Sequence, residues 1–144
     1  MNTTVPGPQP DLTLLSVVIP ARDEEGCIQS TLEHLHVELR LHNIPHEIIV
    51  VDDGSTDHTA ELVRSLSERI PQARLVSNGP QHGFGRAINR GLQSMTGDAV
   101  VIMMADESDD CRDVVRYWHT LHEGWDAVFG SRFMKAGASS TIRG

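Results

Sequence analysis

An α/β fold with a mostly parallel, doubly wound sheet is predicted by three features of this 144-residue sequence. Short β-branched runs alternate along the chain with segments whose apolar residues recur at helical spacing. Two of those runs end in carboxylates, at Asp52 and near Asp106. Alternating strands and helices build parallel sheets, and ligands bind such sheets outside the carboxyl ends of the strands. The sequence therefore predicts helices on both faces of the sheet and an acidic site at one edge.

Two pairs of strand and helix fill the first half of the chain. Residues 14–19 form an apolar run closed by Pro20, which predicts a buried first strand, and a polar loop over 21–25 follows. The next helix is expected to carry acidic residues in its first turn, as the helix dipole favours. Its buried face is predicted to hold Ile28, Leu32, Leu35 and Leu39. A second strand over 47–51 precedes a helix, ended by Pro71, whose buried face is predicted to hold Leu62, Val63, Leu66 and Ile70.

The second half of the chain repeats this alternation. A short strand over 74–76 leads through the loop 78–85 to a third helix, predicted to stop at Gly97 and to bury Ile88, Leu92 and Met95. A fourth strand over 98–104 ends in the carboxylates of residues 106–110. The fourth helix is predicted to stop at Gly124 and to bury Val114, Val115, Trp118 and Leu121. A last strand is predicted over 126–129.

Composition limits the classes of function. The formal net charge of −8 argues against a nucleic-acid partner, because backbone phosphates require a basic surface. The two cysteines, Cys27 and Cys111, lack metal-ligand spacing, which fits a reducing compartment and argues against a zinc site. His34 and His36 lie on different faces of one predicted helix, so solvated histidines are the expectation.

A single domain over 14–144 is expected, after a flexible lead-in over 1–13 that is rich in Pro and Thr. The sequence contains no apolar run of about 18 residues, the length that a membrane-spanning helix needs. The lead-in has neither the basic segment nor the long apolar segment of a secretion signal. The cytoplasm is therefore the expected location.

The stretch 50–57 carries the most information about function. An apolar run stops at Asp52 and Asp53, Gly54 and Ser55 then predict a turn, and Thr56 or Asp57 can cap the following helix. Two interpretations of the aspartates stay open at this point. They are turn and cap residues, or they bind a ligand at the carboxyl end of the strand.

Five motifs in this order give the chain a resemblance to the family 2 glycosyltransferases. They lie at residues 18–25, 51–57, 83–91, 97–98 together with the acidic loop at Asp106, and 130–133. The chain most closely resembles the branch with the dolichol-phosphate mannose synthases and the bacterial polyprenyl-phosphate sugar synthases. The resemblance covers residues from about 14 to 133 and implies a GT-A fold, which is Rossmann-like, with a site for a nucleotide diphosphate sugar.

The resemblance also implies an activity and a set of site residues. The activity is transfer of the sugar, with inversion, to an acceptor such as a polyprenyl (dolichyl-type) phosphate in cell-envelope glycan synthesis. Asp53 would hydrogen-bond the base, and a carboxylate can accept from an N–H of either uracil or guanine, so UDP and GDP both stay open. The donor-binding residues implied are Pro20, Arg22, Glu24, Val51, Asp53, Arg86, Ala105 and Arg132.

One departure concerns the metal motif of the family, Asp-x-Asp. The sequence has Met104 in the first position and Asp106 in the third, and a thioether is a poor ligand for Mg²⁺ or Mn²⁺. Asp106 is the expected catalytic and metal-binding residue, with Ser108 or Asp109 adding a ligand to the divalent cation. The alternative is that residues 106–110 only cap the fourth helix.

Alternatives to the transferase interpretation are a binding module and two other nucleotide-binding classes. The family domain continues beyond the motif at 130–133, so the chain is expected to be an N-terminal portion lacking its acceptor side. Such a piece would bind a nucleotide sugar without turnover, and membrane association of a longer parent protein is expected from the resemblance to many relatives. A dinucleotide fingerprint at 83–91 lacks its third glycine, and no basic glycine loop follows the first strand, as a nucleotidyltransferase would require.

Overall fold

The computed structural model describes residues 12–80, 82–122 and 133–135. Five strands and four helices lie in these ranges. In chain order they are β1 Leu15–Ala21, α1 Ile28–Leu41, β2 His46–Asp52, α2 Thr59–Arg69, β3 Ala73–Ser77, α3 Phe84–Ser94, β4 Ala99–Ile102, α4 Cys111–His122 and β5 Phe133–Lys135.

The strands form one sheet in the order β3-β2-β1-β4-β5. Strands β1 to β4 are parallel to one another, and β5 runs antiparallel to β4. β1 therefore lies between β2 and β4, and the loops that leave these three strands meet at one edge. The predicted mostly parallel α/β sheet is confirmed.

Helices cover both faces of the sheet, as predicted. One buried cluster joins Leu15, Val17 and Ile19 of β1 to side chains of α1, α2 and α4. A smaller cluster on the other face joins Val18, Ile49 and Val51 to α3. Within the described ranges, no helix is long and apolar enough to cross a membrane.

The buried face of α3 agrees with the prediction only in part, because Ile88 and Met95 pack against the smaller cluster and Leu92 does not. Leu92 is 36% exposed and Ile88 is half-buried, whereas Ala87 and Gly91 are fully or nearly fully buried. A Cβ atom added at Gly91 would lie 2.4 Å from Cγ1 of Val18, so α3 lies against β1 at a distance that only a small residue permits. Apolar spacing identifies large side chains, whereas the close approach of α3 to the sheet requires small residues at the contact.

Several predicted boundaries are also corrected. α1 begins at Ile28 and has no acidic residue in its first turn, because the chain first makes a turn in which the N–H groups of Cys27 and Ile28 donate to the carbonyl of Glu24. α3 ends at Ser94 because Met95 is already extended, with ψ 151°. β4 ends at Ile102.

The predicted fourth-helix end at Gly124 and the predicted strand over 126–129 lie outside the described residues. The last described strand is β5 at Phe133–Lys135, where no strand was predicted.

Candidate functional site

The carboxyl edge of the sheet brings the two acidic strand ends onto either side of β1. Ala21, the last residue of β1, is the register partner of Asp52 in β2. On the other side, Val18 of β1 pairs with Ile102, the last residue of β4. The N–H of Met103 then donates to the carbonyl of Val18 at 2.9 Å, which holds the start of the β4–α4 loop beside β1.

Asp53 is buried at this edge, with 6% of its surface exposed, and its contacts are specific. Its backbone N–H donates to the carbonyl of Ala21 at 2.9 Å. Its carboxylate accepts hydrogen bonds from Nδ2 of Asn78 at 2.7 Å and from the N–H of Gly83 at 3.0 and 3.1 Å. These bonds attach the β3–α3 loop to the end of β2. Asp53 is thus more than the turn residue of the first interpretation.

Gly54 follows Asp53 in a left-handed conformation, with φ 82°. The imidazole of His82 lies directly against it, because a Cβ added at Gly54 would be 2.6 to 3.0 Å from three of the ring atoms. The same ring places Nδ1 at 3.7 Å from Oδ1 of Asp53. Position 54 therefore requires glycine both for its backbone conformation and for the approach of this ring.

The other donor-binding residues predicted on β1 and β2 lie around this point. Pro20 and Val51 are register partners and both are buried. Arg22 is exposed and Glu24 is half-buried in the β1–α1 loop. Burial raises the pKa of Glu24, and the charges of Asp106, Asp57 and Asp23 raise it further. The carboxylates of Glu24 and Asp106 therefore repel each other across the end of β1.

The β4–α4 loop is folded around its own carboxylates. Oδ2 of Asp109 accepts the N–H of Met104 at 2.8 Å, and Oδ1 of Asp106 accepts the N–H of Ser108 at 3.0 Å. Ala105 is buried, and its carbonyl accepts a hydrogen bond from Oγ1 of Thr31 at 2.9 Å. Asp109 therefore holds the backbone of Met104, the residue that occupies the first position of the metal motif.

The helix-capping interpretation applies to Asp110. Its Oδ1 accepts the N–H of Arg112 at 2.9 Å, at the start of α4. The guanidinium of Arg112 also hydrogen-bonds this carboxylate and lowers the pKa of Asp110 to about 2. Oδ1 of Asp106 accepts the N–H of Ser108, and Asp106 is exposed at the edge of the sheet.

The chemistry of the candidate ligand side chains decides how a divalent cation would fit. In the ranges 12–80, 82–122 and 133–135, no group of three or more His, Cys, Asp or Glu side chains is arranged to hold a metal ion. Asp106 with Ser108 offers hard oxygen ligands, whereas Met104 offers sulfur. These residues fit a cation whose remaining ligands are oxygens of a bound diphosphate.

Arg86 and Arg132, two of the three arginines that the resemblance placed at the donor, have different outcomes. Arg86 is exposed on α3 and lines a hollow of about 260 Å³. The hollow is lined by Asn78, Arg86, Asn89, Arg90 and Gln93. It adjoins the β3–α3 loop through Asn78, which holds Asp53. Arg132 lies outside the described residues.

Sequence reasoning missed Asn78, His82 and Gly83 as neighbours of Asp53. They lie 25 to 30 positions along the chain from Asp53, and only the path of the β3–α3 loop brings them together. The motif at 83–91 was the one available signal, since it begins at Gly83. It did not indicate which strand end the loop would contact.

Comparison with known proteins identifies the family. The profile of "Glycosyl transferase family 2" matches residues 16–143. The chain belongs to glycosyl transferase family 2. It is 31% identical over 123 residues to a dolichol-phosphate mannosyltransferase of Pyrococcus furiosus, covering 85% of this chain and 34% of that protein. It is 29% identical over 116 residues to an undecaprenyl-phosphate 4-deoxy-4-formamido-L-arabinose transferase of Yersinia enterocolitica, covering 79% of this chain and 35% of that protein.

Two solved structures share the fold. The mannosyltransferase PcManGT of Pyrobaculum calidifontis, in complex with GDP-Man and Mn²⁺, has TM-score 0.59 and 31% identity, covering 71% of this chain and 30% of that one. Glucosyl-3-phosphoglycerate synthase of Mycobacterium tuberculosis, with Mn²⁺, UDP and phosphoglyceric acid, has TM-score 0.62 and 30% identity, covering 79% and 40%. The predicted GT-A fold is confirmed. The chain spans about a third of the length of the curated relatives described above.

Proposed function

We propose that this glycosyltransferase domain binds a nucleotide diphosphate sugar at the carboxyl edge of its sheet. In the complete protein, the sugar is transferred with inversion to a polyprenyl phosphate. The observation that carries the proposal is the placement of Asp53 and Asp106 at the ends of two strands that flank β1. A buried carboxylate on one side and an exposed one on the other match the two ends of a nucleotide diphosphate, the base and the phosphates.

Asp53 is proposed to bind the base. A carboxylate has about four acceptor positions, and the protein's own donors, Asn78 and Gly83, approach mainly Oδ1. Capacity therefore remains on Oδ2 for an N–H of uracil or guanine. The buried side chains of Pro20 and Val51 lie in register beside this point and would form apolar walls for the base.

Asp106 and Ser108 are proposed to hold a divalent cation, Mg²⁺ or Mn²⁺, together with the diphosphate. When bound, the cation would stabilise the negative charge that develops on the departing nucleoside diphosphate. Arg22, Glu24 and Ala105 are proposed to flank the nucleotide, and Arg86 and Arg132 are proposed to offset further phosphate charge. Support for the cation comes from two family members, whose structures contain Mn²⁺.

The acceptor is proposed from chemistry and from similarity. A phosphate acceptor already carries an anionic oxygen nucleophile, so transfer to it needs no general base, whereas a hydroxyl acceptor does. Two relatives are named dolichol-phosphate mannosyltransferase and undecaprenyl-phosphate 4-deoxy-4-formamido-L-arabinose transferase. A polyprenyl acceptor would bring a longer parent protein to the cytoplasmic surface of a membrane.

A second candidate function is binding of a nucleotide sugar without turnover. It is favoured by the coverage of the relatives, of which this chain spans about a third. Transfer of labelled sugar to a short polyprenyl phosphate distinguishes the two functions. Turnover by the 144-residue chain supports the transferase, and binding without turnover supports the binding module.

Calorimetric titration with GDP and UDP, each with and without Mn²⁺, tests the donor site. We expect metal-dependent binding of one nucleotide that is lost in Asp53→Ala and in Asp106→Ala. Asp98→Ala is the matched control, because Asp98 is an exposed aspartate at the opposite edge, where it binds Thr13 and Leu14. Absence of binding to both nucleotides would overturn the proposal, unless Met104→Asp restores it by supplying the missing oxygen ligand.

A further inference from the structure

Two loops at the carboxyl edge are fastened together by reciprocal hydrogen bonds. Three successive backbone N–H groups of the β1–α1 loop donate to side chains of the β2–α2 connection. The N–H of Asp23 reaches Oγ of Ser55 at 2.9 Å, and that of Glu24 reaches Oγ1 of Thr59 at 2.9 Å. The N–H of Glu25 reaches Oδ2 of Asp57 at 3.1 Å.

The β2–α2 connection returns the same number of backbone donors. The N–H groups of Thr56 and Asp57 reach Oδ1 of Asp23 at 2.7 and 3.4 Å. The N–H of His58 reaches Oε1 of Glu25 at 3.0 Å. We call residues 23–25 and 55–59, joined in this way, the loop clasp.

Asp23 occupies the central position of the loop clasp. It is one of three non-glycine residues with positive φ in the described ranges, at 53°, a region that aspartate tolerates better than most residues. This conformation lets its N–H face Ser55 while its carboxylate faces the next residue, Thr56. Oγ1 of Thr56 adds a further hydrogen bond to the carboxylate, at 3.3 Å.

The loop clasp fixes the two halves of the proposed donor site relative to each other. Asp23 lies between Arg22 and Glu24 on one loop, and the connection that it holds begins directly after Asp53 and Gly54. Apart from the loop clasp, the N–H of Asp53 donates to the carbonyl of Ala21 and so joins the ends of β2 and β1, but this bond does not extend to Arg22 or Glu24. Without the loop clasp, the loop that carries Arg22 and Glu24 would move independently of Asp53.

We infer that Asp23 is a positioning residue for nucleotide binding, which acts by holding Arg22 and Glu24 against the base-binding end of β2. The inference rests on the proposed function. Oδ1 of Asp23 accepts the N–H groups of Thr56 and Asp57, so the role inferred for Asp23 is to hold the two loops together and thereby to position its neighbours.

The test is nucleotide affinity, measured by calorimetry with GDP and UDP in the presence of Mn²⁺, in a series of variants at position 23. Asp23→Gly keeps the positive φ and removes the carboxylate, whereas Asp23→Asn keeps an oxygen that accepts the same bonds. We expect Asp23→Gly and Asp23→Ala to bind the preferred nucleotide at least about tenfold more weakly, because small displacements of positioned groups are costly. Asp23→Asn should stay within about threefold of the wild type.

Asp98→Ala is again the matched control for a merely structural effect. The carboxylate of Asp98 accepts three hydrogen bonds from a neighbouring segment, from the N–H and Oγ1 of Thr13 and from the N–H of Leu14. Its loss should lower the melting temperature as much as the loss of Asp23 and leave nucleotide affinity unchanged. Ser55→Ala, which removes only the acceptor of the Asp23 N–H, replaces Asp23→Ala in the series if that variant does not fold.

The outcomes separate the inference from the proposed function. If the wild type binds a nucleotide and Asp23→Gly binds it equally well, the inference is wrong and the proposed function stands. An equal loss of affinity in Asp98→Ala would also overturn it, since the effect would then follow stability. If neither the wild type nor Met104→Asp binds either nucleotide, both the inference and the proposed function are overturned.

Discussion

The carboxylate of Glu47 accepts a hydrogen bond from Nη1 of Arg74 at 2.6 Å, at the edge of the sheet opposite the donor site. The same buried carboxylate accepts bonds from Oγ of Ser16 at 2.5 Å and from the N–H of Thr96 at 2.6 Å. Arg74 in turn donates to the carbonyl of Ser94. One side chain therefore ties β1, β2 and β3 to the end of α3.

Removing this carboxylate should destabilise the protein strongly. Glu47→Ala leaves Arg74 and Thr96 without their acceptor, and breaking a buried, hydrogen-bonded ion pair costs about 3 kcal/mol or more. The free energy of unfolding should fall by about 2 to 3 kcal/mol in this variant, because the side chain of Arg74 is 41% exposed and solvent screens the pair. Urea denaturation followed by circular dichroism measures the change.

The matched control is Glu33→Ala, which removes an exposed ion pair with Arg69 at 3.0 Å. Exposed pairs contribute about 1 kcal/mol or less, so this variant should lie close to the wild type. Similar losses in the two variants would show that the Glu47 cluster contributes no more than an ordinary surface pair.

Acid should weaken the Glu47 cluster. Burial alone would raise the pKa of Glu47, but the hydrogen bonds from Arg74, Ser16 and Thr96 outweigh it and lower the pKa. A carboxyl group whose pKa is lower in the folded state stabilises the fold above its unfolded pKa of about 4.3, and this contribution disappears as the pH falls below that value. Denaturation at pH 3 and pH 6 should show a smaller loss for Glu47→Gln than for the wild type.

A larger loss in Glu47→Gln than in the wild type would contradict the sign of this shift. Asp98→Asn tests the same sign of pH dependence at a carboxylate outside the Glu47 cluster. The pKa of Asp98 is also lowered, by its bonds from Thr13, so this variant should likewise lose less than the wild type in acid.

Gly91 offers a test of the packing of α3. An alanine Cβ would lie 2.4 Å from Cγ1 of Val18 and 3.2 Å from Cγ2 of Val51, so helix and sheet must separate. Gly91→Ala should therefore destabilise by about 1 to 3 kcal/mol, although alanine is the better helix former. Thermal and urea denaturation give the value.

Gly85→Ala is the internal comparison, because it makes the same change in the same helix where nothing lies within 4 Å of the new Cβ. Its stability should stay level or rise by a few tenths to about 1 kcal/mol. A stabilised Gly91→Ala would mean that α3 does not approach β1 closely.

How much the sequence predicts differs between the sheet and the loops. The strands β1, β2 and β4 carry runs of β-branched residues, so their burial on both faces is visible in the sequence itself, whereas β3 has a single valine and is mostly half-buried. The antiparallel strand β5 has three residues and depends on pairing with β4. Its pattern is too short to distinguish it from a loop.

Periodicity also identified α3 and part of its buried face, namely Ile88 and Met95. Spacing counts large apolar residues, whereas the contact with β1 is made by Ala87 and Gly91. The candidate site divides in the same way. Asp53 and Asp106 were predicted because each follows an apolar run, a local feature of the sequence. The bonds of Asp23 to Thr56 join residues 33 positions apart and depend on how two loops fold.

The last prediction concerns the contact between His36 and His46. Nδ1 of His36 lies 2.9 Å from Nε2 of His46, whose Nδ1 contacts the carbonyl of Ile44 at 2.8 Å. Burial lowers the pKa of both histidines, and nearby positive charge, from His46 and Arg40 on His36, lowers it further. Only one proton can occupy the contact between the two rings, so the contact is lost once both imidazoles are protonated.

The sign of the pH dependence follows from these lowered pKa values. The unfolded chain binds protons at a pH near 6.5, where the folded protein does not, so the free energy of unfolding should fall as the pH drops from about 7.5 to 5. His36→Gln should make this fall smaller, because one of the two groups that resist protonation is gone. Urea denaturation at the two pH values measures it, and NMR titration of the ring protons identifies the residues.

His58 provides a control of opposite sign. The hydrogen bond to Glu25 raises the pKa of His58, so its contribution is present below the unfolded pKa and is lost as the pH rises. His58→Gln should therefore weaken the protein at pH 5 and make the fall from pH 7.5 steeper. If His36→Gln and His58→Gln changed the pH dependence in the same direction, the contact between His36 and His46 would not be the origin of the acid sensitivity.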